Sequence, residues 1–283
     1  MTTIFLFPGQ GSQKKGMGGD LFAEYPEQTA VADAVLGTSI RNLCVEDPGG
    51  LLTRTDFTQP ALFVVSALMH LKRTASGTSP DFVAGHSVGE FAALFAAGVF
   101  DFETGLRLTR KRGELMSQAR GGGMAAVIGM SEEQVRATLS DAGRGTIDIA
   151  NLNSPQQTVI SGLADDVLAV REAFESAGAK MFVPLPVSGA FHSRYMRPSQ
   201  AEFESFLSGF TLAPPRIPVI SNVTAQPHRA GEIGQNLVAQ ITSPVRWSDT
   251  IRYLLALPDP QFEEIGPGMV LTGLTRQIKA ATA

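Results

Sequence analysis

The 283-residue chain contains one cysteine, Cys44. That scarcity excludes intrachain disulfides and cysteine-built zinc sites, and it fits a reducing cytoplasm better than secretion. Charged side chains are also few, at 18% against about 25% in average soluble proteins. With 43% hydrophobic residues, disorder is excluded over most of the length. Long apolar runs are missing too. The longest, Phe91 to Phe100, is bracketed by Glu90 and Asp101 and is about half of what a membrane-spanning helix requires. The opening residues, Met1 to Pro8, lack a basic segment and offer only Ile4 to Phe7 as an apolar run, too short for a signal peptide and better read as a buried strand. Nor is there an excess of cations: 23 Lys and Arg face 27 Asp and Glu, for a net charge of −4. A generally basic, nucleic-acid-coating surface is thereby excluded, and any acidic partner must dock on a local patch. The expectation is a soluble, cytoplasmic monomer with no membrane, nucleic-acid or metal partner. In such a chain the sequon Asn222-Val223-Thr224 is a coincidence.

What is present is an alternation of short apolar runs, glycine-rich turns and helical stretches, the pattern of an α/β sheet protein with a mostly parallel sheet. Ile4 to Phe7 and Phe82 to Ala84 read as strands, and residues 59 to 73 and 103 to 118 carry apolar side chains at helical spacing. The character changes after Arg120-Gly121-Gly122-Gly123. A strand over Met124 to Ile128 leads to a helix whose Ser131 and Gln134 fit a capping box. Strands at 146 to 150 and 157 to 161, a helix from Asp165 to Ala177 and a strand from Lys180 to Pro184 follow. That order, β-α-β-β-α-β, is the ferredoxin-like split βαβ. Residues 123–188 thus read as a small subdomain inserted in a larger α/β domain formed by 1–122 and 189–283, with a cleft between the two as the natural site.

The sharpest local signal is Gly85-His86-Ser87-Val88-Gly89, a G-x-S-x-G between a strand and a helical run from Val88 to Ala97. Such an elbow forces the serine into a strained turn and exposes its hydroxyl at a helix start. There the Val88 N–H is well placed for an oxyanion. A serine nucleophile needs a base, and there are four histidines. His70 lies in an apolar helical run and reads as packing. His86 adjoins Ser87, and neighbouring side chains diverge, so a structural role fits it. His228 follows a proline in a polar loop and reads as exposed. His192, where the inserted unit rejoins the large domain, is the candidate base. No acid presents itself as a third member, and a backbone carbonyl can hold the imidazole tautomer instead. On the 103 to 118 helix, Arg112 interrupts a stripe of Leu108, Leu115 and Met116. It is either an anion receptor for substrate or a structural residue, as one half of an internal salt bridge with Glu114 or Asp101 or as a side chain snorkelling to the surface.

Taken together, these segments resemble the malonyl-CoA:acyl carrier protein transacylase family from end to end. They are Phe7-Pro8-Gly9-Gln10-Gly11-Ser12-Gln13, Thr58-Gln59-Pro60, Gly85 to Glu90, Lys111-Arg112-Gly113, Asn153-Ser154-Pro155, Phe191-His192-Ser193, Pro244 to Trp247 and Gly266-Pro267-Gly268. Length and the runs Phe95 to Gly105 and Ser188 to Met196 look most like discrete acyltransferases that serve polyketide synthases in trans. The housekeeping fatty-acid enzyme and an editing acyl hydrolase are the alternatives. The resemblance implies an α/β-hydrolase-like core with a ferredoxin-like insertion. It implies Ser87 as nucleophile, His192 as base, and backbone N–H groups of Gln10 and Val88 as the oxyanion hole. Arg112 matches the malonyl-carboxylate receptor, with Gln59, Met116, Asn153 and Phe191 also expected against substrate and the Arg246 carbonyl orienting the histidine. Malonyl-CoA is the implied substrate, with no bound cofactor, and an acyl carrier protein supplies the phosphopantetheine thiol. Lys14, Lys15, Arg194, Arg197 and Arg276 are candidates for docking that acidic partner.

Overall fold

The computed structural model describes residues 1–282. Eight strands are found among them: β1 (Thr2–Phe7), β2 (Phe82–Gly85), β3 (Gly122–Ile128), β4 (Asp148–Ser154), β5 (Gln157–Leu163), β6 (Met181–Pro184), β7 (Val219–Ile220) and β8 (Pro260–Glu264). They form two four-stranded sheets in a mixed α/β fold. In the first, ordered β7-β2-β1-β8, every neighbouring pair is parallel. Its central strand β1 is buried on both faces from Ile4 to Phe7, which explains why that run is apolar throughout rather than alternating. Phe5, Phe7 and Val83 pack on one side, with Phe63, Phe91 and Leu106. Ile4, Leu6 and Ala84 pack on the other, with Trp247, Ile251 and Leu274.

The second sheet, ordered β4-β5-β3-β6, is antiparallel throughout. Its two faces serve different cores, as the two-residue side-chain period of a strand dictates. Ala125 and Val127 of β3 and Ile160 of β5 bury against Val135, Val167 and Phe174 in a separate cluster. Met124, Ala126 and Val159 point the other way and join the large core. Ser131 and Gln134 form the expected capping box at the Glu132–Asp141 helix. The helix expected from Asp165 to Ala177 is two, Ala164–Ala169 and Arg171–Ser176, because Val170 between them has ψ 0°. β4 begins two residues later and runs four residues further than expected, carried onward by its hairpin with β5. β4 also touches the rest of the chain: Leu152 N–H donates to the Val245 carbonyl and Val245 N–H to the Ala150 carbonyl, both at 2.9 Å.

Two helices set the floor of the site. Thr55–Ala75 is longer at both ends than the periodic stretch suggested, and Phe102–Ser117 has the expected length, shifted by one residue. The second is capped by Asp101, whose Oδ1 accepts from Thr104 N–H at 2.8 Å. They approach closely at Gly113, where a Cβ would lie 2.9 Å from the Thr55 carbonyl oxygen. That contact brings Arg112 on one helix to Gln59 on the other. No helix among the described residues is long and apolar enough to cross a membrane.

Candidate active site

Ser87 sits between β2 and the Gly89–Ala96 helix with φ of 54°, the left-handed region that costs a non-glycine residue roughly 1–2 kcal/mol. The turn is possible because Gly85 and Gly89, two residues to either side, have no side chains. A Cβ on Gly85 would lie 2.0 Å from the Gly89 backbone, and one on Gly89 2.1 Å from the Phe7 carbonyl oxygen. Asn222 holds the turn from outside. Its Oδ1 accepts from Ser87 N–H at 2.7 Å and its Nδ2 donates to the Gly85 carbonyl at 2.6 Å. The sequon asparagine is thus wholly buried and structural.

Ser87 Oγ lies 2.8 Å from His192 Nε2, and His192 Nδ1 lies 2.8 Å from the Gln240 carbonyl oxygen. A carbonyl only accepts, so Nδ1 carries the hydrogen and Nε2 presents its lone pair to the serine hydroxyl. Burial, reinforced by the Arg112 charge, pushes the His192 pKa down to about 3; the imidazole is neutral at pH 7 and ready to accept a proton. The Arg246 carbonyl is not the orienting group. It accepts from Thr250 N–H at 2.9 Å as the first bond of the Trp247–Leu255 helix. Gln240 ends the Ile233–Gln240 helix, and the last carbonyls of a helix have no intrahelical donor.

Arg112 is 1% exposed. Its Nη1 donates to Gln59 Oε1 at 2.7 Å, and its Nη2 to Gln240 Oε1 at 2.8 Å and to Ser87 Oγ at 3.2 Å. The salt-bridge alternative fails, since Glu114 pairs with Lys111 and Asp101 caps the helix. Burial lowers the Arg112 pKa to about 10, opposed by the Glu90 charge, and leaves the guanidinium charged at pH 7. Its Nε is buried with no partner among the described residues. A buried cation held by two neutral amides beside a nucleophile has spare capacity for an anion.

The cleft above, about 140 Å³, is lined by Gln10, Gln59, Val88, Met116, Asn153, Phe191 and His192, so all but two of the expected site residues besides Ser87 surround it; those two are Arg112, beneath it, and Arg246. The antiparallel sheet and the segment that follows β6 add Met124, Val159, Leu185 and Val187. Gln59 Nε2 lies 3.3 Å from Met116 Sδ. Neither Gln10 N–H nor Val88 N–H donates to any acceptor among the described residues. Asn153 reaches His86 instead: its Oδ1 lies 2.8 Å from His86 Nε2, tying the second sheet to the elbow. Burial lowers the His86 pKa.

His228, expected at the surface, is buried with Nε2 2.7 Å from Glu90 Oε1. A proline and polar neighbours cannot reveal a partner 138 residues away. Gln240 and Glu90 were not singled out by the sequence, yet Gln240 gave a signal of the same kind as Arg112. It continues the buried stripe Ile233, Leu237, Gln240 at i, i+4, i+7 spacing. Of the proposed docking cations, Arg194 and Arg197 line a groove that includes His192 and Arg136. Lys15 faces Glu46 elsewhere, and neither Lys14 nor Arg276 lines that groove. Among the described residues no group of three His, Cys, Asp or Glu side chains converges as a metal site.

A model of the acyl transferase domain matches residues 4–279, and the chain belongs to that family. It is 54% identical over 277 residues to the polyketide biosynthesis malonyl CoA-acyl carrier protein transacylase PksC of Bacillus subtilis, covering 97% of this chain and 96% of the relative. It is 55% identical over 275 residues to the polyketide biosynthesis protein ThaF of Burkholderia thailandensis; the match covers 97% of this chain but only 24% of that longer protein. A crystal structure of malonyl CoA-acyl carrier protein transacylase from Burkholderia pseudomallei superposes with a TM-score of 0.97 at 52% identity, covering 100% of this chain and 99% of the other.

Proposed function

We propose that this chain moves a malonyl group from malonyl-CoA to the phosphopantetheine thiol of an acyl carrier protein, in trans, for polyketide biosynthesis. The observation that carries the reading is the Arg112 Nη2 only 3.2 Å from Ser87 Oγ, with the hydroxyl also 2.8 Å from a neutral His192. A cation at that distance suits an acyl group whose far end is a carboxylate.

The mechanism is ping-pong. His192 Nε2 takes the Ser87 proton as Oγ bonds to the thioester carbon, and the oxyanion gathers at the free Gln10 and Val88 N–H groups. The C–S bond then breaks, the sulfur takes the proton from His192, and CoA leaves. The carrier's thiol repeats the sequence in reverse, its proton passing to His192 and back to Ser87 Oγ. Arg112, braced by Gln59, holds the malonyl carboxylate throughout. Phe191 with Met116 walls the pocket against an α-methyl group, a discrimination of about 1–3 kcal/mol, while Asn153 anchors the opposite wall. No bound cofactor takes part in these steps.

The architecture fits an α/β-hydrolase-like core, 1–122 with 189–283, carrying a ferredoxin-like subdomain at 123–188. The β-α-β-β-α-α-β order, the β4-β5-β3-β6 sheet and its separate apolar core support that division. The groove beside His192, where Arg194 pairs with Asp148 and Arg136 with Glu132 and Arg197 adds a further cation, suits an acidic carrier.

Intact-protein mass measurement after incubation with malonyl-CoA tests the reading. Wild type gains one malonyl mass and Ser87→Ala gains none. No adduct on wild type, or an equal one on Ser87→Ala, removes the serine ester from the mechanism. Release of malonate to water faster than transfer to carrier would favour the editing hydrolase.

A further inference from the structure

Behind the site lies a chain of buried polar groups that the transfer mechanism leaves unexplained. Glu90, in the first turn of the Gly89–Ala96 helix, is 1% exposed, and a buried carboxylate persists only when its oxygens are satisfied. Its Oε1 accepts from His228 Nε2 at 2.7 Å and from Asn222 N–H at 3.3 Å, and its Oε2 accepts from Gln240 Nε2. Asn236 Nδ2 lies 3.2 Å from His228 Nδ1. With an amide donor at Nδ1, the ring hydrogen sits on Nε2 and points at Glu90.

We propose that Asn236, His228 and Glu90 form a positioning relay that fixes which way round the Gln240 side-chain amide lies, and through it holds Arg112 for an acyl group ending in a carboxylate. The relay rests on the reading of Arg112 as carboxylate receptor and adds to it three residues that touch no substrate. Polarity drives it. The Glu90 carboxylate attracts an amide N–H₂ and repels an amide oxygen, so Gln240 Nε2 faces Glu90 and, at 3.1 Å, the Ser87 carbonyl. Gln240 Oε1 is then left facing Arg112 Nη2 at 2.8 Å. With the amide reversed, the guanidinium would meet donor against donor and leave its place beside Ser87. Because the same residue offers its backbone carbonyl to His192, Gln240 fixes the base with its main chain and the receptor with its side chain. Only the second task depends on the relay.

That separation gives the test. Ser87 acylation rates are measured with malonyl-CoA and with acetyl-CoA, which lacks the carboxylate, for wild type, His228→Ala, Glu90→Gln, His228→Gln and Asn236→Leu. Losing an oriented hydrogen bond to a buried charge lowers the malonyl-over-acetyl ratio of kcat/KM roughly tenfold or more in His228→Ala and Glu90→Gln, mainly by raising the malonyl KM. His228→Gln, which keeps an N–H donor for Glu90, recovers most of that ratio. Asn236→Leu, at the half-buried outer end, lowers it less and guards against a core variant that fails to fold. Folded variants that lose malonyl and acetyl loading in equal proportion, or keep the wild-type ratio, overturn the relay. Failure of the receptor reading itself shows separately, as an unchanged ratio in Arg112→Ala.

Discussion

His192 and His70 are both buried, both neutral at pH 7, and surrounded in opposite ways. His192 has a hydroxyl at one ring nitrogen and a carbonyl at the other, with Arg112 nearby. His70 lies edge-on among Phe5, Phe7 and Phe95, and its Nδ1 has no partner among the described residues. Burial lowers the His70 pKa to about 4, close to the value of about 3 for His192. A depressed pKa therefore does not mark a base. What separates the two rings is hydrogen-bond wiring, which aims a lone pair at a nucleophile in His192 and is absent at His70 Nδ1.

The largest effect that would break this contrast is the loss of His192. Removing a positioned general base costs on the order of 10²–10⁴ in rate. His192→Ala should lose that much in malonyl transfer while its thermal midpoint moves little, and a transfer rate within a few-fold of wild type would place the base elsewhere.

Acid stability should come next. The ordinary histidine value is 6.5, and His192, His70 and His86 are all held below it in the folded chain. Between about pH 6.5 and 4 the unfolded chain takes up protons that the folded chain refuses, so stability falls as pH falls. The slope is roughly 1.4 kcal/mol per pH unit for each ring held neutral. Urea unfolding at pH 7 and pH 5 measures it, and equal stabilities at the two values would contradict the burial of these rings.

The smallest effect belongs to His70→Leu. Replacing an unpartnered buried nitrogen with apolar volume is near neutral, so stability at pH 7 should shift by about 1 kcal/mol or less and acyl transfer should be retained. The same variant should lose one ring's share of the acid slope. Full retention of that slope would show that His70 contributes nothing to it.

These contrasts were only partly legible in the sequence. The buried strand Ile4 to Phe7, the glycine-flanked elbow and the arginine interrupting an apolar stripe are local patterns, and their physics acts over a few residues. The resemblance implies the Arg246 carbonyl as the orienting group, and the structure differs because a carbonyl's availability depends on which end of a helix it occupies. Arg246 stands at a helix start, where its oxygen is already used by Thr250, whereas Gln240 stands at a helix end. Helix ends of that kind can be sought in sequence. The His228–Glu90 pair could not be, since polar neighbours imply exposure and the partner is brought up only by the fold. The seam between Asn153 and His86 is of the same sort, joining two sheets 67 residues apart.

Asn222 gives the elbow a dependence that its motif hides. The five residues from Gly85 to Gly89 encode the turn, but the amide that clamps it lies 135 residues downstream. A chain cut anywhere between Gly89 and Asn222 would keep every letter of the signature and lose the clamp on its nucleophile. In gene fragments, fusions and split copies of this protein, the presence of the pentapeptide therefore says less about competence than the presence of a distant asparagine.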